Sequence, residues 1–295
     1  MMLNPPLSPY RKLWAVIGFV VVWLSLLLAQ PEPSQVVAEH YKFSLLGVLG
    51  AIFANSTGAG GGVVFIPAFH QLGFSELQSV ATSFAIQCCG MSAGALTWLY
   101  SYRHNHRSEA QWQGLIPAVL TCAAGAVVAL LATQWLAIGA PAATHLIFSV
   151  FSVGLGVVTL YCTLTKGKQT VVCGLLWFDY VALAAIGLLG GVITAWLSVG
   201  VGELMAVYLI LRGFNVSMAI AGAVMVSALS VWAAIPHHIW STNAVAWQVV
   251  LFAGPSAILG GIIARTIVEY LSAKIVKLIF SAWVLLTGLF ILLAA

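Results

Sequence analysis

The stretch NSTGAGGGVVFIPAF, from Asn55 to Phe69, decides the fold because it interrupts an apolar segment with polar residues and glycines. The chain around it has 295 residues, of which 62% are hydrophobic and 6% are charged, and this balance excludes a soluble domain. Apolar runs of about 20 residues, long enough to cross a hydrocarbon core of ~30 Å, recur along the chain. The alternating pattern of a β-barrel is missing. We therefore predict an all-α polytopic membrane protein with a helix broken at this stretch.

The basic residues are explained by membrane topology and give no reason to expect a nucleic-acid partner. Eleven Lys and Arg against seven Asp and Glu give a net charge of +4, and the basic residues lie near the ends of apolar runs. Membrane lipid is therefore the expected environment. The cysteines lie in or beside apolar runs without the spacing to histidines that metal sites have, so we expect no disulfide, metal or cofactor. They are Cys88, Cys89, Cys122, Cys162 and Cys173.

A second interrupted segment indicates an internal repeat. The stretch GAGGGVVFIPAFHQLGFS, which begins at Gly58, aligns without gaps on SVGVGELMAVYLILRGFN, which begins at Ser198. The identical pairs are Gly60 and Gly200, Gly62 and Gly202, Gly73 and Gly213, Phe74 and Phe214, and Ala81 and Ala221. Farther along, a slightly smaller shift pairs Trp112 with Trp247 and Gly125 with Gly260. The second copy has therefore lost residues, most simply in a loop.

The repeat divides the chain into four parts. We predict an N-terminal anchor helix and external loop over residues 1–42, a first transmembrane repeat over 43–165, a cytoplasmic linker over 166–178 and a second transmembrane repeat over 179–295. The apolar run at 13–30 is longer than the usual core of a signal peptide, which favours a retained helix. A cleaved signal peptide is the alternative.

The distribution of basic residues bears on whether the two copies are parallel or inverted. If each interrupted segment folds back as a re-entrant hairpin and the N-terminus is cytoplasmic, every Lys and Arg except Lys42 lies on the cytoplasmic side. If each segment spans the membrane instead, the residues that move outside are Arg103, Arg107, Arg265, Lys274 and Lys277. The first count favours re-entrant hairpins and an inverted second copy. The counter-argument is that Tyr180 to Leu197 is nearly long enough to cross alone.

A glycine break at membrane depth favours a binding site over ordinary helix packing. Backbone outside a helix is tolerated there only where it is buried in protein or lines an aqueous cavity. A helix that restarts after GAGGG exposes unpaired N–H groups and the positive end of its dipole, and glycines allow a ligand to approach that backbone. Two such breaks at equivalent positions predict a site for a small anion between the repeats. The alternative is that the glycines only allow helices to pack closely.

The candidate substrate-binding residues lie at the two breaks and on the helix that follows the first. They are Asn55, Ser56, Thr57, Gly58, Gly60, Gly61, Gly62, Ser83, Gln87, Ser198, Gly200 and Gly202. The alternatives are that the hydroxyls only cap helix ends and that Gln87 only joins neighbouring helices. Glu203 is the carboxylate that lies well inside an apolar run, which makes it the candidate proton-coupling residue, with a helix cap as the alternative. His237 and His238 are expected at the membrane interface.

The glycine break and the residues that follow it resemble a known family. GAGGGVVFIP, the subsequent ATSFAIQ and the degenerate second copy GVGELMAVYLILRG are similar to the TauE/SafE sulfite exporter family, over about residues 43–293. The second copy departs from the pattern at Val207, which stands where the first copy has Pro67.

The resemblance implies a secondary transporter, and specifically an exporter, of a small sulfur-containing anion such as sulfite, sulfoacetate or another organosulfonate, with proton coupling as one mode. It implies a multi-pass protein of a bacterial-type inner (cell) membrane. An anion channel and a non-transporting membrane subunit are the alternatives, and a homodimer is one option for assembly. We expect no enzyme, because the sequence contains no HExxH motif and Asp179 is its only aspartate.

Overall fold

The computed structural model describes residues 9–141 and 172–294, together with a few positions between 146 and 164. Within this part of the chain every regular element is helical. Five helical segments are long and apolar enough to cross a membrane, and a sixth is added if the bent pair Val16–Leu28 and Pro33–His40 counts as one span. The protein is therefore an all-α, multi-pass membrane protein. Of the predicted linker at 166–178, the structure describes residues 172–178.

Ten of the eleven described α-helices lie where the sequence predicts apolar segments. The eleven helices are α1 Pro9–Leu28, α2 Pro33–His40, α3 Phe43–Thr57, α4 Gly62–Gln71, α5 Glu76–Ser101, α6 Leu115–Trp135, α7 Trp177–Leu197, α8 Val201–Arg212, α9 Val216–Pro236, α10 Trp247–Tyr270 and α11 Ala273–Ala294. A π-helical turn follows α5 at Tyr102–His106, and another follows α9 at His237–Ser241. The short helix α2 lies where the sequence predicts only a loop.

Both interrupted segments break in the same way. Gly58 follows the last residue of α3 and has a φ of 79°, and Ser198 follows the last residue of α7 and has a φ of 56°. Both residues therefore have the left-handed backbone conformation. Two residues later Gly60 and Gly200 also have positive φ, at 83° and 137°. Glycine adopts this conformation without steric strain, whereas the side chain of Ser198 makes it unfavourable. The two breaks thus correspond residue by residue, as the alignment of Gly58 with Ser198 predicts.

The correspondence continues into the helices that follow the breaks. Helices α4 and α8 are followed by Gly73 and Gly213, whose φ angles are 79° and 91°. The next helices, α5 and α9, are capped by Ser75 and Asn215, whose side chains each accept the N–H three residues on. These two caps are aligned with each other by the same shift as the breaks, and the two π-helical turns by the smaller shift found farther along the sequence. The residues that the second copy has lost therefore fall within α9, which has 21 residues where α5 has 26, and the prediction that they were lost in a loop is wrong. The same succession of elements therefore occurs twice.

Each broken pair of helices folds back on itself. In the second pair, Asp179 near the start of α7 accepts hydrogen bonds from Arg212 at the end of α8, at 2.9 Å, and from the Tyr208 hydroxyl, at 2.6 Å. In the first pair, the ring of Phe43 at the start of α3 lies 6.2 Å from that of Phe69 near the end of α4. Each pair is thus a hairpin with its break at the tip.

The two hairpins open toward opposite ends of the helix bundle. We name the end where α5 begins end A and the end where α5 finishes end B. The first hairpin opens at end A, because α4 leads directly into α5. The second opens at end B, because Asn215, just after α8, donates to Gln111, just before α6, at 3.0 Å. Glu269, near the end of α10, also lies at end B, where it accepts from Ser101.

The described basic side chains are divided unequally between these two ends. Those at end B belong to the turns between helices or the adjoining helix ends, and they are Arg103, Arg107, Arg212, Arg265 and Lys274. Lys42, which precedes α3, lies at end A. Helix α1 runs toward end A, since Trp23 Nε1 donates to Leu251 O near the start of α10, at 2.7 Å.

Small residues hold each hairpin against the other half of the chain. A Cβ added at Gly47 of α3 would collide with Ala253 of α10, and one added at Gly187 of α7 would collide with Cys122 of α6. Each hairpin therefore packs against a full-length helix of the opposite copy, through close backbone contacts. Helices α5 and α9 lie at the centre of the bundle, where most of their residues are buried.

Candidate functional site

The two breaks meet at the middle of α5, where Gln87 joins them. Its Oε1 accepts the N–H of Gly61, in the first break, at 2.7 Å. Its Nε2 donates to the carbonyl oxygen of Ser198, in the second break, at 3.1 Å, and to the Ser198 hydroxyl at 2.7 Å. Gln87 is 2% exposed, so these bonds are shielded from solvent and lipid. One amide group thus ties together two segments that are far apart in the chain.

Ser83 and Ser198 complete this hydrogen-bonded cluster. Ser83 lies one turn before Gln87 on the same face of α5 and accepts from Gln87 Nε2 at 3.0 Å. The Ser198 hydroxyl donates to the Ser83 hydroxyl at 3.1 Å. Both serines are buried. The predicted pairing of Ser83 with Gln87 on one face therefore holds, and the partner of both is the second break.

The remaining glycines at the breaks allow the two hairpin tips to touch. A Cβ at Gly62 would lie 2.6 Å from the carbonyl oxygen of Ser198. A Cβ at Gly202 would collide with the carbonyl oxygen of Gly58 and the hydroxyl of Ser227. Any larger residue at either position would push the hairpin tips apart. At Gly62 and Gly202 the structure thus shows close packing, which is the alternative that the sequence offers for these glycines.

A small cavity lies between the hairpin tips. Its polar lining comes from Gly60, Gln87, Thr194, Ser198, Gly200 and Ser227, and its apolar lining from Ala59, Val199, Val201 and Val231. No charged side chain is among these residues. The cavity lies at the start of α8, whose first N–H groups have no acceptor within their own helix, so the positive end of the helix dipole is directed at it.

A second, smaller cavity lies on the other side of Gln87. It is lined by Asn55 and Gly61, together with mainly apolar residues of α3, α4, α5 and α10. Asn55 Nδ2 donates to the carbonyl oxygen of Ala51 at 2.8 Å, and its Oδ1 has no partner. Asn55 therefore does not reach the cavity between the hairpin tips, which we call the central cavity.

Ser56 and Thr57 also lie away from the central cavity. The Thr57 hydroxyl donates to Phe53 O at 2.7 Å and accepts the Ala59 N–H at 3.3 Å, so it caps the end of α3. The Ser56 hydroxyl is buried without a partner. The hydroxyl of Thr57 therefore has the hydrogen bonds of a helix cap, which is the alternative to substrate binding that the sequence offers for it.

Glu203 is buried in the first turn of α8, with 1% of its surface exposed. Its Oε2 forms no hydrogen bond, and the residue is not among those that line the central cavity. A carboxyl group held in this environment without a basic partner is costly when charged. Glu203 lies two residues after Val201, which lines the cavity, so its carboxyl group is a titratable group close to the cavity.

Two polar residues of the cavity wall were not predicted from the sequence. Thr194 lies one turn before the second break, and its hydroxyl accepts the Val201 N–H at 3.1 Å. Ser227 on α9 is the residue that aligns with Gln87, so extending the repeat alignment along the next helix would have identified it. Thr194 carried no such signal, because its equivalent in the first copy is Ala54.

Two other sequence features are explained by their places in the structure. His238, expected at the membrane interface, is instead 4% exposed, and its ring stacks on that of Phe84 at 5.1 Å. The sequence GMSAG at Gly90–Gly94 has the GxSxG spacing of a hydrolase nucleophile, but it lies inside helix α5 instead of at a strand-to-helix turn. Ser92 there accepts a hydrogen bond from Trp232 Nε1 at 2.7 Å. The described residues contain no group of three or more His, Cys, Asp or Glu that could hold a metal.

Comparison with known proteins gives one match. The model of the family described as sulfite exporter TauE/SafE matches residues 43–291, which include both hairpins and the helices around the central cavity. Helices α1 and α2 precede the matched region. Neither the proteins of curated function nor the solved structures give a match.

Proposed function

We propose that this chain, which belongs to the TauE/SafE sulfite exporter family, is a secondary transporter that exports a small sulfur-containing anion such as sulfite, sulfoacetate or another organosulfonate. The family is one of membrane transporters and not of enzymes. The observation that carries the proposal is the central cavity, which is buried between two hairpin tips and built from backbone, amide and hydroxyl groups. Such a site suits a small anion that must be released again.

The two copies are proposed to be inverted repeats related by a two-fold axis in the membrane plane. The backbone conformations and helix caps that recur at aligned positions support the repeat. The hairpins that open toward opposite ends of the bundle support the inversion. The excess of basic residues at end B supports a cytoplasmic location for end B in a bacterial-type inner membrane. Contact with lipid follows from that location, and assembly as a homodimer stays a prediction.

The anion is proposed to bind where Gln87 now joins the breaks. Gln87 Nε2 and the Ser198 hydroxyl already donate hydrogen bonds into this region, and an anionic oxygen is a stronger acceptor than the neutral groups that they now contact. The dipole of α8 adds attraction without a basic side chain. Gly60 and Gly200 let the ligand approach the backbone closely. Binding that depends on dipoles and neutral donors is weak enough to permit release on the far side.

Alternating access is proposed to come from the two hairpins moving against the central helices. Each hairpin tip contacts the other through Gly62 and Gly202, so separation of the tips on one side opens the cavity toward that end. The bonds of Gln87 to Ser198 are the ones that an entering anion would replace. Occupancy and closure are therefore coupled through the same side chain.

Glu203 is proposed to couple a proton to the anion. It replaces Val63 of the first copy, and it lies in the helix turn that faces the cavity. A negative Glu203 and an anion would repel each other in this poorly solvated region, so protonation of Glu203 favours anion occupancy. The proton and the anion then move in the same direction.

Flux measurements in proteoliposomes test the proposed function. The full-length protein is reconstituted, and efflux of sulfite, sulfoacetate and taurine is compared with that of sulfate and chloride, with and without a pH gradient. We expect saturable flux of the sulfur(IV) or sulfonate anions that an imposed pH gradient can drive uphill. Flux that does not saturate and only runs down the gradient would identify a channel. Failure to carry any of these anions would identify a non-transporting subunit.

A further inference from the structure

A second polar cluster lies between the central cavity and end A. It consists of Gln134 at the end of α6 and His238 in the π-helical turn after α9, with Phe84 of α5 stacked on the imidazole ring. The surrounding residues are apolar and include Val80, Leu130, Val231 and Ile235. Val231 also lines the central cavity. The cluster is thus roughly 10 Å from that cavity, since His238 lies seven residues farther along the helix.

The hydrogen bonds of Gln134 fix which nitrogen of His238 carries a proton. Gln134 Nε2 lies 3.3 Å from the carbonyl oxygen of Ala234, an arrangement that only the amide N–H side can make. The same Nε2 lies 3.4 Å from His238 Nε2. Because the amide nitrogen can only donate, His238 Nε2 must be the acceptor. The imidazole is therefore neutral, with its hydrogen on Nδ1.

This tautomer leaves a buried N–H donor without an acceptor. His238 Nδ1 is buried and has no hydrogen-bond partner, and the same holds for Gln134 Oε1. A buried donor that lacks a partner is unfavourable, and buried polar groups are almost always paired with protein, water or a ligand. The titratable neighbour is His237, whose ring is 5.5 Å away and perpendicular. No carboxylate belongs to the cluster, so nothing among the described residues around it would repel an anion.

We propose that His238 is a second, outer binding position for the transported anion, where the Nδ1 hydrogen is donated to an anionic oxygen on the path between the central cavity and end A. Gln134 is a positioning residue that holds His238 in the donating tautomer. Phe84 separates this position from the central cavity until its ring moves. The inference rests on the proposed function, because it takes the same anion as ligand.

The experiment uses three variants of the full-length protein. His238→Phe keeps a flat ring against Phe84 and removes the donor. His238→Asn retains a donor close to the position of Nδ1. His237→Phe is the matched control, because His237 is adjacent, half-buried and outside the cluster. In vesicles sorted by orientation, the half-saturating concentration of radiolabelled sulfite is measured from end A and from end B.

We expect His238→Phe to raise the half-saturating concentration at end A by about tenfold, the effect of losing one hydrogen bond to a charged group, while the value at end B stays within about twofold. His238→Asn and His237→Phe should both stay close to the parent protein. An unchanged value for His238→Phe, an equal rise at both ends, or a His238→Asn protein as impaired as the Phe variant would each overturn the proposal.

A binding measurement separates this inference from the proposed function. Thermal stabilisation of the detergent-solubilised protein by sulfite is compared between the parent and His238→Phe. If the parent transports sulfite and sulfite stabilises His238→Phe as much as the parent, the proposed transport function stands and the outer binding position is refuted. If sulfite stabilises the parent more than the variant but the parent does not transport sulfite, the outer binding position is supported and the transport function is refuted. Both are refuted if sulfite neither stabilises the parent protein nor is transported by it.

Discussion

Replacing Gln87 with Leu should destabilise the protein and abolish transport, because Gln87 joins the two breaks. The change leaves two buried backbone groups without their partners, the Gly61 N–H and the Ser198 carbonyl. At about 1–3 kcal/mol for each group, the expected loss is about 2–6 kcal/mol. A total stability of about 5–15 kcal/mol makes this a large fraction. The apparent melting temperature should fall by roughly 5–20 °C.

The assay follows unfolding in detergent and sulfite flux in proteoliposomes for the same protein preparations. Thr97→Val is the matched control on the same helix, because the Thr97 hydroxyl bonds only to Gly94 within its own turn. Gln87→Glu keeps an oxygen that can accept the Gly61 N–H, but it loses the donor to Ser198, and its carboxylate repels an anion. We expect it to lose transport even where it folds. A Gln87→Leu protein that melts within about 2 °C of the parent and carries anion at the parental rate would show that Gln87 does not join the breaks.

Three further changes test the parts around this bridge. Glu203→Gln should retain anion flux but lose its dependence on an imposed pH gradient, and a variant that still concentrates anion as the parent does would leave Glu203 as a structural residue. Gly62→Ala should cost about 1–3 kcal/mol and reduce transport, because the added Cβ meets backbone at 2.6 Å, whereas Gly18→Ala, with nothing within 4 Å, should behave as the parent. Asp179→Ala should lower the melting temperature more than Glu269→Ala does, because Asp179 is fully buried and Glu269 is partly exposed in its pair with Arg265. Equal losses in the last comparison would mean that the second hairpin does not depend on its ion pair.

The positions of the breaks could be predicted from the sequence because they depend on local chemistry. Gly58, Gly60 and Gly73 adopt positive φ, which is the conformation that makes glycine useful at the end of a helix. Ser198 adopts the same conformation without being glycine, so only its alignment with Gly58 indicated it. The apolar runs that predict the helices act through the membrane environment and need no knowledge of the tertiary contacts.

The contacts of individual polar side chains were not accessible in this way. Asn55, Ser56 and Thr57 are adjacent in sequence, but each points to a different side of the last turn of α3, and the direction depends on the rotation of that helix. His238 looked like an interfacial residue because it follows a long apolar helix, yet a π-helical turn and the ring of Phe84 bury it. Rotation about a helix axis is set by packing against distant segments, which a single sequence does not contain.

The two halves of the site are related by the repeat but are chemically unequal, and this inequality has consequences for the transport cycle. Gln87 of the first copy donates to the second break through its amide, whereas its equivalent, Ser227, carries a hydroxyl in place of an amide. Glu203 occurs in the second copy, where the first has Val63. A symmetric pair of hairpins would give the outward-open and inward-open states equal energies by construction. Here the neutral amide is supplied by one half and the titratable group by the other, so a change in protonation can favour one state over the other. In the proposed cycle the gradients of proton and anion set the direction of transport, and the second hairpin is the half that carries the proposed coupling group, Glu203.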